Sequence, residues 1–436
     1  MQELNDEPLS AIDGDSFGIS EYHQALAGFI QRCATPISIG VQGKSGSGKT
    51  SFLHTVEQLL DSSNHKIWIN AWEHSLFCNP EQSLMAIITA ISDEIASLSR
   101  SSKTIKEIKK ASSTVMSSAA KIGAGLVAGR AGLQVVNDLQ SKGPSIRELR
   151  RILELSINET LIKDNKKRFV FFIDDISRIN PKTAVKVLEL LKNIFHLPNC
   201  VFVLSIDYET IQRGLVDLFG EPSGDNDHEF RAFYEKIIQV PFLMPTEEHD
   251  SVDYTADILV KAGYLESEKI TEKDKEDLHH LVYNSISGNP RGLKRLINSL
   301  ILITPLIEDM EKTSDRLIIF AIVCLQVSCP PAYRALHRAP EFFHWDEKRI
   351  ARITGTTMDD DDKGLLSMFE HEEEFDEEWE KALFALIRVY KGLWPRIFQT
   401  ARFMNQLKLM ICADENSWEV YLRALKLSRL TKLGSE

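Results

Sequence analysis

Apolar residues follow two different rhythms along this chain. Up to residue 245 they gather in short runs: ISIGVQG (37–43), KIWIN (66–70), FVFFID (169–174), CVFVLSID (200–207) and KIIQVPF (236–242). These runs are rich in Val, Ile and Phe and lack strict alternation, the pattern of parallel strands covered on both faces. The stretches between them keep helical spacing. Tyr22, Leu26, Phe29 and Ile30 recur that way in FGISEYHQALAGFIQRC, and Phe52, Leu53, Val56 and Leu59–Leu60 share one face of TSFLHTVEQLL. KTAVKVLELLKNIF (182–195) is a third amphipathic stretch. Strands alternating with helices predict an α/β fold built on a doubly wound parallel sheet of five strands.

From residue 246 the rhythm is helical alone. YTADILVKAGYL, DLHHLVYNSI and RGLKRLINSLILI are amphipathic, while DRLIIFAIVCLQV (315–327) is apolar almost all round, as a fully buried helix would be. Beyond Pro330–Pro331, helices are expected around 379–391, 395–411 and 418–430. The expected domains are an α/β core over 15–245, a helical lid over 246–330 and a mostly helical C-terminal region over 331–436.

One stretch breaks the alternation. Residues 76–165 separate the second strand from the third. The part from 80 to 100 reads as helix, and the middle, VMSSAAKIGAGLVAGRAGLQVV (115–136), is small, glycine-rich and mildly apolar. Lys121 and Arg130 interrupt it, so no uncharged run approaches the ~20 residues that span a bilayer. The stretch is expected to be an inserted segment, flexible or helical, with peripheral membrane contact through its basic flanks as the other reading.

Charge sharpens this picture in two places. The net charge is −12, and DDDDKGLLSMFEHEEEFDEEWE (359–380) holds twelve acids against Lys363 alone. Residues 103–151 run the other way, with ten Lys and Arg against Glu107, Asp138 and Glu148. An acidic chain is a poor generic nucleic-acid binder, so a nucleic-acid partner is not favoured. The six cysteines form no C-x-x-C pair and the N-terminus is polar, which suits a reducing cytoplasmic compartment.

The candidate chemistry begins at GKSGSGKT, which fits G-x-x-x-x-G-K-[ST] between a predicted strand and a predicted helix. Gly43, Lys44, Ser45, Gly46, Ser47, Gly48, Lys49, Thr50 and Ser51 are the expected nucleotide-binding residues. Gly46 and Gly48 admit phosphate oxygens close to the backbone. Lys49 is expected to bridge the β- and γ-phosphates of ATP, and Thr50 to ligate Mg²⁺. FVFFID ends in Asp174, a carboxylate suited to the same ion. Asp175 follows, placed either to polarise the attacking water or to cap the next helix. The usual residue there is Glu, and the shorter Asp predicts slow hydrolysis. Asp207 ends a strand on the edge where open α/β sheets bind ligands. It reads as a γ-phosphate sensor or as an ordinary turn residue. Arg291 is predicted in the first turn of a helix starting at Pro290, an unfavourable end for a cation. A phosphate or a surface ion pair would compensate it.

Taken together, GKSGSGKT, INAWEH (69–74), FFIDDISRINP (171–181), LPNCVFVLSIDYE (197–209), FYEKIIQVPF (233–242) and GNPRGLKRLIN (288–298) resemble the KAP family of P-loop NTPases over roughly residues 15–300. The resemblance implies an ASCE-type sheet, related to those of AAA+ and STAND ATPases, with the 200–206 strand between the phosphate-loop and Asp174 strands. It implies Asp174 as Mg²⁺ partner, Asp175 as catalytic acid residue and Arg291 as a lid sensor. Many members carry membrane helices between the two nucleotide motifs; here the insert is too polar, which favours a soluble member. Prokaryotic members are often linked to phage exclusion, which implies a defence role. The reading is an ATPase whose cycle drives conformational change or assembly, in a homo-oligomer or with a partner effector. The alternative is a nucleotide-dependent switch or scaffold with little turnover.

Overall fold

The computed structural model describes residues 19–75, 80–99, 105–111, 144–194, 197–245, 251–286, 289–307, 312–355 and 377–431, with Met310 and Phe375. The glycine-rich middle of the insert and most of the acidic stretch lie outside them. The chain divides into two compact units that meet in sequence at Pro245–Thr246.

The first unit is built on five parallel strands: β1 (Ile37–Gln42), β2 (Asn64–Asn70), β3 (Arg168–Asp174), β4 (Cys200–Ile206) and β5 (Val240–Leu243), in the order β2-β3-β4-β1-β5. β4 therefore lies between the phosphate-loop strand and the Asp174 strand, as the resemblance implied. Successive side chains leave a strand on opposite faces, and both faces are dry. Phe169, Phe171 and Ile173 of β3 join one core with Phe202 and Leu204 of β4; Val170 and Phe172 join the other. The first face is covered by α3 (Pro80–Leu98) and the helix Pro144–Asp164. The second is covered by α1 (Ser20–Arg32) and α2 (Lys49–Leu59). Burial pushes the Cys200 thiol well above its ordinary range, which fits a small core residue.

Two expectations change. The outer parts of the 76–165 insert are core helices: Ile87, Ile91 and Ile95 of α3 pack with Leu149, Leu153 and Ile157 against β2 and β3. Ile108, from the described residues between these two helices, joins the same core. Second, KIIQVPF is not one strand. Lys236 and Ile237 end the helix Asp227–Ile237, whose buried Phe230, Tyr234 and Ile237 recur at helical spacing. The strand begins at Val240, pairs with β1 alone and carries Pro241, which has no N–H to donate and belongs on an edge.

The second unit is helical. Its helices include Ser251–Lys261, Glu272–Tyr283, Pro290–Ile303, Thr313–Ser328, Pro330–Arg338, Glu378–Arg388, Ile397–Ile411 and Ser417–Ser428. Every residue from Leu317 to Leu325 is buried, as an all-round apolar helix requires. Residues on both sides of Pro330–Pro331 enter one core, Leu300 and Phe320 together with Tyr333, Trp379, Leu407 and Tyr421. Among the described residues no helix is long and apolar enough to cross a membrane.

Gly214 gives a direct test of packing in the first unit. It lies in the helix Tyr208–Phe219, where a Cβ would sit 2.3 Å from the Pro181 carbonyl oxygen and 2.7 Å from a Val185 methyl. Alanine gains about 1 kcal/mol in helix propensity. The clash with a backbone oxygen outweighs it, so Gly214→Ala is expected to destabilise by about 1–3 kcal/mol. Urea denaturation of the two proteins measures this.

Candidate functional site

β1 ends at Gln42, the chain turns over Gly43–Gly48, and α2 starts at Lys49. Gly46 and Gly48 take φ of 87° and 89°, a region that a Cβ disfavours. Gly43 is needed for space, because a Cβ there would lie 2.6 Å from the Ser47 hydroxyl oxygen. The Lys49 ammonium is buried and donates to the carbonyls of Gly43 (2.6 Å) and Lys44 (3.0 Å). The loop is thus closed around its own cation. Lys44 and Ser45 are exposed at the tip, and the Lys44–Glu209 contact of 3.7 Å is a solvated pair of little energetic weight.

The second carboxylate strand meets this loop directly. Thr50 Oγ1 donates to Asp174 Oδ2 at 2.6 Å, and the Asp175 N–H donates to Asp174 Oδ1 at 2.8 Å. Asp174 is buried, and its carbonyl accepts from the Ala71 N–H across to the end of β2. A carboxylate and a hydroxyl held together beside a phosphate loop form a donor set of the kind Mg²⁺ uses, with the remaining positions left to phosphates and water. The fit extends to the nucleotide. The Ser47 hydroxyl is buried in the loop with no hydrogen-bond partner, and the helix behind it starts with uncapped N–H groups.

Asp175 leaves β3 in the left-handed region, φ 58°, and starts a 3₁₀ turn over Ile176–Arg178. It does not cap that turn with its side chain. One carboxylate oxygen receives Arg178 Nε at 2.8 Å and the other receives Asn70 Nδ2 at 3.4 Å. Asn70 ends β2 and is the register partner of Asp174. Its Oδ1 accepts from the N–H groups of Trp72 (3.0 Å) and Glu73 (3.2 Å), closing a side-chain turn. The Arg178 guanidinium lies over the Trp72 ring, 5.4 Å from its centroid.

Asp207 follows β4 and caps the helix Tyr208–Phe219, accepting from the Glu209 N–H at 3.1 Å. The turn reading therefore describes its bond in this structure. The Gly43 N–H bonds the Ile206 carbonyl, which ties the phosphate loop to the strand end that carries Asp207. Arg291 stands in the first turn of Pro290–Ile303, whose N-cap Asn289 accepts from the Gly292 N–H at 2.9 Å. It belongs to the second unit and is half-buried.

Asn70, Trp72 and Arg178 had no chemical role in the sequence reading, although INAWEH and FFIDDISRINP contain them. The available signals were a side-chain turn former at a strand end, and an arginine three residues after the acid, one 3₁₀ turn away.

Fold and site together define a P-loop NTPase, a class whose phosphate loop implies nucleotide binding. Residues 19–307 match the KAP family P-loop domain, and the chain belongs to that family. The chain is also similar to the Phage T7 exclusion protein of Escherichia coli (strain K12), with 24% identity over 309 residues. That match covers 64% of this chain and 40% of the relative.

Proposed function

We propose that this chain is an ATPase that works with Mg²⁺ and turns over slowly, and that its cycle changes conformation or assembly within a defence response. The observation that carries the reading is the Thr50–Asp174 hydrogen bond of 2.6 Å, which joins the phosphate loop to the second carboxylate strand. Lys49 would neutralise phosphate charge, and Thr50 and Asp174 would hold the ion. Bound Mg²⁺ supplies positive charge against the triphosphate oxygens. Asp175 would orient the attacking water and accept its proton. The water oxygen bonds the γ-phosphorus, the bond to the bridging oxygen breaks, and that electron pair leaves with ADP. Asp207 and Arg291 are candidates for sensing the γ-phosphate.

Slow turnover is inferred from an aspartate at the position where glutamate is usual. The defence role rests on the phage exclusion relative, and a cytoplasmic setting belongs to the same reading. ATP is the expected small-molecule partner, and a second copy or a protein effector the expected macromolecular one. The test measures Mg²⁺-dependent phosphate release and solution mass with and without ATP and Mg²⁺. The reading predicts slow release and a nucleotide-dependent change in mass. Release independent of Mg²⁺, or none at all, would remove the ATPase assignment. A constant mass would remove assembly.

A further inference from the structure

The group around Asp175 does more than surround it. A 3₁₀ turn repeats every three residues, so side chains at i and i+3 stand over one another. Asp175 and Arg178 occupy such positions, and the turn is closed by the Arg178 N–H donating to the Asp175 carbonyl at 3.1 Å. Arg178 Nε then reaches Oδ1 at 2.8 Å while its guanidinium rests on Trp72. Asn70 reaches Oδ2 from the neighbouring strand end. Both carboxylate oxygens thus have a donor, one from the end of β2 and the other from the turn that follows β3. The Trp72 backbone N–H donates in turn to the Asn70 side chain.

We propose that Arg178, seated on Trp72 and opposed by Asn70, is a positioning residue that fixes the direction in which Asp175 presents its carboxylate. A short acid on a left-handed backbone has few ways to aim at a water. A donor on each oxygen, with the Arg178 bond at 2.8 Å the shorter, restricts the orientation of the carboxylate. The role rests on the ATPase reading, because it concerns the acid assigned to water activation. Arg178 itself need not touch the nucleotide.

The test begins on the nucleotide-free protein with ¹⁵N-labelled tryptophan, the Trp72 indole N–H resonance being assigned by its loss in Trp72→Phe. Arg178→Ala is expected to shift it. Asp175→Asn is expected to shift it too, because the guanidinium loses its charged anchor and leaves the ring. Steady-state phosphate release then supplies the kinetic half. Arg178→Ala is expected to lower kcat by about 10- to 100-fold, the scale of a misplaced catalytic group. KM for ATP should stay within about twofold, since loss of a transition-state interaction alone leaves binding intact. Arg178→Lys should recover part of kcat. The Arg178 side chain is 40% exposed, so the substitution is tolerated by the core, and an unchanged melting temperature verifies this. An indole resonance indifferent to Asp175→Asn, or an unchanged kcat in Arg178→Ala, overturns the proposal. Full turnover in Asp175→Asn would instead overturn the ATPase assignment of Asp175, while the indole signal still reports the clamp.

Discussion

Lys49→Ala is expected to abolish ATP turnover, with a loss on the order of 10² to 10³ or more, the scale of removing one preorganised charge donor. The ammonium lies inside the loop and is held by the carbonyls of Gly43 and Lys44. Those carbonyls keep it in the cradle before any ligand arrives, so its charge needs little reorganisation to meet a phosphate. Removing it also takes away two hydrogen bonds, each worth about 1 kcal/mol net. The variant should therefore fold with a slightly lower melting temperature. The informative measurement is the melting temperature with ATP and Mg²⁺. A ligand at 100 times its Kd stabilises the parent by about 2.7 kcal/mol through mass action. That increment should vanish in the variant; an undiminished increment would mean that nucleotide binds elsewhere.

Asp175→Asn should separate binding from chemistry. The substitution keeps the shape and removes the negative charge and the proton-accepting oxygen. Arg178 loses its charged partner and leaves the Trp72 ring, while the phosphate loop and the Thr50–Asp174 pair stay as they are. ATP should still raise the melting temperature as it does in the parent. Phosphate release should fall on the order of 10²- to 10⁴-fold, the range of a general-base contribution. Parent-like release would take Asp175 out of the reaction. The pair of variants is diagnostic because Lys49→Ala loses both readouts and Asp175→Asn loses one.

The fold class was legible because buried parallel strands carry their own signature. RFVFFID is apolar at five consecutive positions, and Phe169 to Ile173 are buried in the two cores on either side of the sheet. The fifth strand was read too long for a physical reason. Ile237 and Ile238 are apolar whether they end a helix or start a strand, and the helical period that decides it lies upstream, at Phe230 and Tyr234. The helix Pro144–Asp164 was hidden differently. Its buried residues Leu149, Leu153 and Ile157 are spaced among Arg and Glu, so the stretch has the composition of an excursion while one face of it is packed.

The site was legible where chemistry is carried by local strings. GKSGSGKT and the doubled aspartate identify themselves, and the structure brings Thr50 to Asp174 across 124 residues of sequence. The clamp on Asp175 could not be read that way. Asn70 reaches it only because β2 and β3 are register neighbours, with Asn70 opposite Asp174. Nothing in either string states that register.

The short fifth strand has a consequence for how copies of this protein can meet. β5 is four residues long and closes one side of the sheet with Pro241 exposed. An open strand edge is a template for pairing with another chain and for aggregation. A proline offers no N–H to such a ladder, and four residues give it little length to grow on. This side of the sheet is therefore protected against intermolecular strand addition. Self-association on this side would have to use side-chain surfaces in place of a shared strand ladder.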